Sequence, residues 1–373
     1  MRRKTIFSWI LAAMMFAAIF PEPAGAVSVS AASAILMEQS SGRVLFEKEA
    51  HEKRRIASIT KIMTAVLAIE SGQLEDTVKV SKRAAYSEGS SLYLMPGEKI
   101  ELEDLVYGLM LRSGNDAATA IAEHVGGSVE GFVFLMNQKA AEIGMKDTVF
   151  SNPHGLDDHE EHYSTAYDMA LLTRYAMQNE MYRRVSGTKR YVAKGGDSVR
   201  SWGNKNRLLT EKYKYCTGGK TGFTKRASRT LVTTATKNGI DLIAVTLNAP
   251  DDWNDHMGMF EGGFEKYSMV KVLDKGTVNG IRMKDGKTAL IVKAPLYYPL
   301  TKEEKGQIRL EFKLLNRAEN NKVAGKAIIY LQNKEIRSVP VYAAPVKKAG
   351  EEKRYWSTFT RIMTMYTGIK ANG

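Results

Sequence analysis

Three short runs carry groups that can work on one acyl centre: Ser58-Ile59-Thr60-Lys61, Ser113-Gly114-Asn115 and Lys220-Thr221-Gly222. A serine hydroxyl is a weak nucleophile at neutral pH. It needs an adjacent base and donors for the oxyanion that develops. At the start of a helix, Ser58 lies near the positive end of the helix dipole and near free backbone N–H groups. Lys61, three residues on, returns to the same face. To act as a base it must be neutral, and free lysine has a pKa near 10.4. Burial and a second cation lower that value, and Lys220 could be the second cation. A lone S-x-x-K is more often a helix-start serine beside a solvated lysine. The other two runs weigh against that reading. Ser113 and Asn115, in a loop between two helices, can bridge the lysine to a leaving nitrogen, while Asn115 can also cap the second helix. Lys220 and Thr221, on a predicted edge strand beside Gly218-Gly219, can meet a substrate carboxylate where glycine lets a substrate backbone approach.

These residues need elements to hold them. Ala34–Met37 and Arg43–Phe46 flank the turn-rich Gln39–Gly42 and read as a hairpin. Apolar periodicity predicts helices over Ser58–Ile69, Leu102–Leu111, Asp116–Val125 (stopped by Gly126-Gly127) and Tyr163–Gln178, the last with Ser164 as N-cap. The period then changes. Lys220–Lys225, Thr230–Thr236 and Asp241–Leu247 read as strands, with Asn238-Gly239 as a tight hairpin turn. A helical middle between terminal strands is an α/β chain of the α+β kind, with an antiparallel sheet covered by helices.

A boundary falls near Tyr267. Residues 269–345 read as all-β, with strands over Val278–Met283, Thr288–Lys293, Ile308–Leu314, Ala327–Leu331 and Arg337–Val341. No catalytic constellation lies there, and the module reads as a spacer or partner surface. Residues 346–351 are a polar linker. In the last segment Trp356, Phe359, Ile362, Met363, Tyr366 and Ile369 recur at helical spacing among Lys353, Arg354, Arg361 and Lys370. That pattern fits an amphipathic helix in an anionic membrane surface, against the alternative of a helix docked on the protein's own core.

The 373 residues suffice for two cored domains, and 44% apolar with 25% charged residues is ordinary globular composition. The N-terminus has the form of a secretory signal. Arg2, Arg3 and Lys4 precede the largely apolar Ile6–Phe20, and Ala24-Gly25-Ala26 is an A-x-A cleavage site, predicting a mature start at Val27. Of the net charge of +13, the first 26 residues hold Arg2, Arg3 and Lys4 against Glu22, leaving +11 on the remainder. An exported basic protein meets anionic wall polymers and lipid headgroups. Nucleic acid is not expected as a partner, and no zinc-finger or RNP-like motif occurs. The single cysteine, Cys216, cannot form an internal disulfide and reads as a small buried residue. Asp157-Asp158-His159-Glu160-Glu161-His162 is dense in metal-ligand types. H-x-x-H in a loop, without a helical i,i+4 pair, reads instead as a solvated rim of the site. No metal or cofactor is expected. His51, His124 and His256 suggest no Ser-His-Asp triad, and no G-x-S-x-G elbow is present.

S-x-x-K followed by K-T-G is the signature of penicillin-binding proteins and related β-lactamases. Four blocks carry a closer likeness: Arg55–Thr64 around Ser58, Leu111–Asp116, Asn152-Pro153-His154-Gly155-Leu156, and Gly219–Gly222. With them the mature chain resembles the low-molecular-mass D-alanyl-D-alanine carboxypeptidases, and within these the branch used in endospore cortex formation. The resemblance implies residues 27–268 as a catalytic domain with a five-stranded antiparallel sheet, then a β domain over 269–345 and a terminal amphipathic anchor. It implies Ser58 as acylated nucleophile, Lys61 as proton acceptor, and Ser113 and Asn115 as proton shuttle and amide holder. Lys220 and Thr221 would bind the terminal carboxylate, and the backbone N–H groups of Ser58 and Phe223, next to Gly222, would form the oxyanion hole. The implied substrates are peptidoglycan pentapeptide stems, and the implied inhibitors are β-lactams. Many relatives carry an arginine on the strand after the Asn-Gly hairpin, where this chain has Asp241; Arg229 and Arg226 are the candidates to replace it, and the basic residue beyond Lys220 is left open. Against a β-lactamase, no E-x-x-L-N stretch lies between Ser113 and Lys220. A D,D-endopeptidase or transpeptidase would carry the same three runs. A non-enzymatic wall-binding protein would have no need to keep Lys61 beside Ser58.

Overall fold

The computed structural model describes residues 28–193 and 199–344. The chain divides into two compact units, the second beginning at Met269. In the first, β1 (Ser33–Glu38) and β2 (Val44–Lys48) form the expected antiparallel hairpin. The Glu38 carboxylate ties its turn by accepting from the backbone N–H groups of Ser40 and Ser41 at 2.9 and 2.7 Å. β3 (Cys216–Thr224), β4 (Ser228–Lys237) and β5 (Ile240–Leu247) complete a five-stranded sheet of order β2-β1-β5-β4-β3, antiparallel throughout. Asn238 (φ 53°) and Gly239 (φ 76°) both take the left-handed conformation that a two-residue turn matched to sheet twist requires. β1 is buried along its whole length, as a central strand covered on both faces must be.

The longer helices around this sheet are α1 (Lys61–Glu70), α2 (Leu102–Arg112), α3 (Asn115–Gly126), α4 (Val129–Ile143), α5 (Ala166–Ala176) and α6 (Asp252–Lys266). A 3₁₀ turn, Ala57–Thr60, leads into α1. Ile62, Met63, Leu109, Ile121 and Phe132 of the helices pack with Val232 and Val245 of the sheet in one core. α3 ends where expected, at Gly127 in the left-handed region (φ 71°).

The helix predicted over Tyr163–Gln178 is shorter. Its cap is Thr165 and not Ser164: Thr165 Oγ1 accepts from Asp168 N at 3.0 Å. Ser164 is engaged one step earlier. Its backbone bridges to Arg54 and its hydroxyl bonds to Thr148 Oγ1 at 2.7 Å, which holds it in extended conformation. α4 and α6 have no counterpart among the helices predicted from periodicity. α6 is glycine-rich, and a Cβ on Gly263 would stand 2.8 Å from Leu36 Cδ2 and 2.9 Å from Leu242 Cδ1. Its glycine serves close approach to the sheet at the expense of helix propensity.

In the second unit the strands are β6 (Ser268–Leu273), β7 (Gly276–Arg282), β8 (Ala289–Val292), β9 (Leu296–Leu300), β10 (Ile308–Leu314), β11 (Val323–Leu331) and β12 (Lys334–Ala344). Five form a sheet of order β7-β8-β12-β11-β10, while β6 pairs with β9. The latter two are absent from the predicted strands. Leu290, Val292, Ala327 and Val341 form part of the core of this unit. Among the described residues no helix is long and apolar enough to cross a membrane. The predicted signal segment, its predicted cleavage site, the predicted linker and the predicted terminal helix lie outside the described residues.

Removing the α5 cap in Thr165→Ala leaves the N–H of Asp168 without its side-chain acceptor. The expected loss is about 1 kcal/mol of unfolding free energy in urea.

Candidate active site

The three runs meet where the 3₁₀ turn, the α2–α3 junction and strand β3 converge. Ala57, immediately before Ser58, has φ 49°, a left-handed conformation costly for a residue with a Cβ. Thr60 is held from the other side. His162 Nδ1 accepts from Ser151 N at 3.0 Å, so its proton sits on Nε2 and is donated to Thr60 Oγ1 at 2.8 Å. The Asn152–Gly155 loop closes over the turn. Gly155 (φ 86°) lies so near the Ala57 carbonyl that a Cβ there would overlap it.

Lys61 is fully buried. Its Nζ lies 3.1 Å from Ser58 Oγ, 2.7 Å from Asn115 Oδ1 and 2.6 Å from the His154 carbonyl. Burial is the main force holding its pKa well below the ordinary lysine value, followed by the positive charges of Lys220 and Lys205. A neutral amine donates to Asn115 and His154 and turns its lone pair to the Ser58 hydroxyl, which then donates to it. Asn115 is anchored in turn, its Nδ2 donating to the Glu88 carbonyl at 2.5 Å.

Ser113 occupies the left-handed C-terminal position of α2 (φ 68°), a place that favours glycine. Its hydroxyl accepts from Lys220 Nζ at 3.0 Å, and Lys220 also donates to the Thr221 carbonyl at 2.7 Å. Lys220 is buried, and its pKa is lowered to about 7, chiefly by desolvation and then by Lys205. At Gly222 the strand passes so close to the Ala57–Thr60 turn that a Cβ would stand 2.9 Å from Ser58 N. A cleft of about 280 Å³ opens here, lined by Ser58, Ser90, Ser113, Lys205, Thr221, Gly222, Phe223, Arg229, Asp252 and Trp253.

This arrangement fits an acyl-transfer enzyme, and known proteins agree with it. Residues 20–251 match the peptidase S11 model, described as D-alanyl-D-alanine carboxypeptidase. The chain belongs to this carboxypeptidase family. Residues 267–348 match a second model, the C-terminal domain of penicillin-binding protein 5. The chain is 37% identical over 271 residues to the D-alanyl-D-alanine carboxypeptidase DacF of Bacillus subtilis, covering 70% of this chain and 69% of that one. It is 36% identical over 280 residues to DacC of Escherichia coli, covering 71% and 68%. Among solved structures, penicillin-binding protein 5 of Haemophilus influenzae aligns with a TM-score of 0.73 at 26% identity, over 88% of this chain and 98% of that one.

Several parts of the carboxypeptidase site have no sequence signal. The His154 and Glu88 acceptors are backbone carbonyls, which any residue type supplies. Asp116 is buried and pins the Ser91–Leu94 loop against the site, accepting from Leu92 N, Leu94 N and Ser91 Oγ. Lys205, Asp252 and Trp253 reach the cleft from elements with no motif of their own. The acid- and histidine-rich loop is a rim held by ion pairs. Glu160 accepts from Arg55 at 2.6 Å and from both ends of Arg226 at 2.8 Å. Among the described residues no His, Cys, Asp and Glu group has metal-site geometry. His256 is a core residue between Thr233 Oγ1 and Thr246 Oγ1. The buried Cys216 thiol is pushed up to about 11 by desolvation, so it stays protonated at neutral pH.

The lowered Lys220 pKa makes a stability prediction. The unfolded chain holds this proton up to about pH 10.4, while the folded chain releases it near 7, so the penalty is complete below 7 and fades as pH rises toward 10.4. Chemical denaturation of the wild type should show stability rising between about pH 7 and 9, and Lys220→Met should flatten that rise.

Proposed function

We propose that the protein is a serine D-Ala-D-Ala carboxypeptidase that removes the terminal D-alanine from peptidoglycan pentapeptide stems, and that Ser58, Lys61, Ser113, Asn115, Lys220, Thr221 and the Gly222–Phe223 strand carry the reaction. The observation that carries this reading is the buried Lys61 amine 3.1 Å from Ser58 Oγ, with acceptors for its own N–H groups at Asn115 and His154. Ser58 Oγ attacks the carbonyl of the penultimate residue as Lys61 takes its proton. The oxyanion forms against the backbone N–H groups of Ser58 and Phe223. The C–N bond breaks as the proton passes through Ser113 to the leaving nitrogen, releasing D-alanine and leaving an ester on Ser58. Water then attacks that ester, giving a proton to Lys61, and the tetrapeptide acid departs. Lys220 holds Ser113 in line and, with Thr221, faces the substrate carboxylate. A β-lactam enters the same route and stalls as the ester.

The finer reading places the enzyme outside the cytoplasmic membrane, exported by residues 1–26 and held at the lipid surface by the aromatic and basic residues at the end of 346–373, trimming stems in the spore cortex. Support comes from the A-x-A site and from the aromatic and basic residues at the chain end. Anionic liposomes should co-sediment the full chain and not a form ending at Glu351, and equal binding by both would remove the anchor.

Incubation with a pentapeptide muropeptide should release free D-alanine with wild type and none with Ser58→Ala. Cleavage of cross-linked dimers in its place would make the enzyme an endopeptidase. The acid limb of kcat/KM should track loss of the Lys61 proton, well below the pH of ordinary lysine titration. Ser113→Gly relieves the left-handed strain and should keep stability within about 1 kcal/mol of wild type. Turnover should still fall at least about 100-fold, the usual worth of a positioned proton-transfer group.

A further inference from the structure

We propose that the cavity on the acyl side of Asn115 takes the side chain of the stem's third residue, and that Glu88, Asp157 and Asp158 read the free amine it carries. The proposal rests on the acyl-serine reading and names which stems that reaction selects.

Two openings flank the catalytic residues. The smaller is lined by Ser58, Lys205 and Thr221 among others, and receives the leaving residue. The larger, of about 660 Å³, is lined by Arg83, Glu88, His154, Asp157, Asp158 and Thr224 among others. It starts where the catalytic groups end. The Glu88 carbonyl holds Asn115 Nδ2, the His154 carbonyl holds Lys61 Nζ, and Thr224 is the last residue of β3. Gly89 marks the divide. A Cβ there would stand 2.8 Å from Asn115 Nδ2 and 3.6 Å from Leu156 Cδ2, while Ser90 already lines the smaller cleft. A stem paired along β3, with its terminal carboxylate at Lys220 and Thr221 and its scissile carbonyl at Ser58, runs back past Phe223 toward Thr224. Its third residue comes directly before the acylated one and is the first to meet the larger cavity. That residue is a diamino acid. Its side-chain amine is free in a single stem and acylated once another stem is joined through it.

The charges lining this cavity ask for a cation. Three carboxylates stand against one guanidinium. Arg83 is already answered, because its Nη2 donates to Glu130 Oε1 at 3.0 Å. His154 adds no positive charge, since burial lowers its pKa to about 3. Asp158 accepts only from an uncharged group, Asn152 Nδ2, at 2.6 Å. Glu88 is exposed at the mouth and has no ion pair among the described residues. Asp157 is the unfilled group. Its side chain is 11% exposed, and its Oδ1 is buried with no hydrogen-bond partner. Arg55 Nη1 stands 3.8 Å from that oxygen, but this guanidinium donates instead to the His159 carbonyl and to Glu160. A buried carboxylate oxygen without a donor is costly, and an ammonium brings three donors. The carboxylate turns readily about its last bond, so either oxygen can be offered to the cavity. An amine that has been acylated brings neither the charge nor the donors.

The test follows D-alanine release from three peptides that differ only in the third-residue side chain. They are Nα-acetyl-L-Lys-D-Ala-D-Ala, its Nε-acetylated form, and the norleucine analogue, which has similar length and no charge. Wild type should favour the free amine over both neutral side chains by roughly 10-fold in kcat/KM, the worth of one hydrogen bond between charged groups. The preference should shrink as salt is added. Asp157→Asn and Glu88→Gln should each lower the lysine-to-norleucine ratio by at least about threefold, Asp157→Asn by more. The ratio is the readout because a general loss of activity cancels from it, and the exposed Glu88 keeps the test open where Asp157→Asn fails to fold. Equal turnover of the lysine and norleucine peptides by wild type, with only the acetylated peptide slow, would mean that the cavity measures length, and would overturn the proposal alone. So would a ratio that neither variant moves. No D-alanine from any of the three peptides with wild type would overturn the acyl-serine reading together with it.

Discussion

Everything at this site depends on keeping a lysine amine out of water. A solvated Lys61 would be protonated and useless as a base. The fold removes it from solvent completely and sets a second buried lysine near enough to disfavour its charge. Burial alone would leave its N–H groups unsatisfied, at a cost of about 1–3 kcal/mol each. Asn115 and the His154 carbonyl supply the acceptors, and each is fixed by something else: Asn115 by the Glu88 carbonyl, and the His154 loop by Asn152, which accepts from Gly155 N at 2.6 Å. The lowered proton affinity of the buried lysine thus goes with a shell of polar contacts that spans residues 88 to 155.

Unfavourable backbone conformation is accepted to bring these groups together. Ala57 and Ser113 sit in the left-handed region although both carry a Cβ, one beside the Ser58 hydroxyl and the other bearing the hydroxyl that Lys220 contacts. Gly155 and Gly222 are positions where a Cβ would strike the Ala57–Thr60 turn. Ser113 keeps its hydroxyl at a strained position, while glycine stands at the two points of close approach, Gly155 and Gly222. At Ser113 glycine would suit the helix end better, and the hydroxyl that Lys220 needs prevails.

The three motifs were legible because acyl chemistry demands particular side chains at short spacings. The strands of the catalytic sheet and the helices α1, α2 and α3 were legible from hydrophobic period. What escaped has physical reasons. Backbone acceptors such as the His154 carbonyl leave no trace in residue type. Ser164 and Thr165 are equal cap candidates until the Arg54 bridge takes one of them. α6 uses a glycine for contact with Leu36 and Leu242, which weakens the usual helical signature.

The sheet order has a temporal consequence. β1 lies between β2 and β5, so a strand from residues 33–38 finds one of its neighbours only at residues 240–247. A chain emerging N-terminus first, from a ribosome or through a membrane pore, can close the β1–β2 hairpin early but must wait for nearly the whole catalytic unit before the other edge is covered. Ser58 and Lys61 emerge long before the strand bearing Lys220. Until that strand docks, Lys61 lacks both its dry enclosure and its neighbouring cation, and in water it keeps its proton. Such long-range pairing slows folding. The same delay leaves the Ser58–Lys61 pair unassembled until the far strand of the sheet has formed.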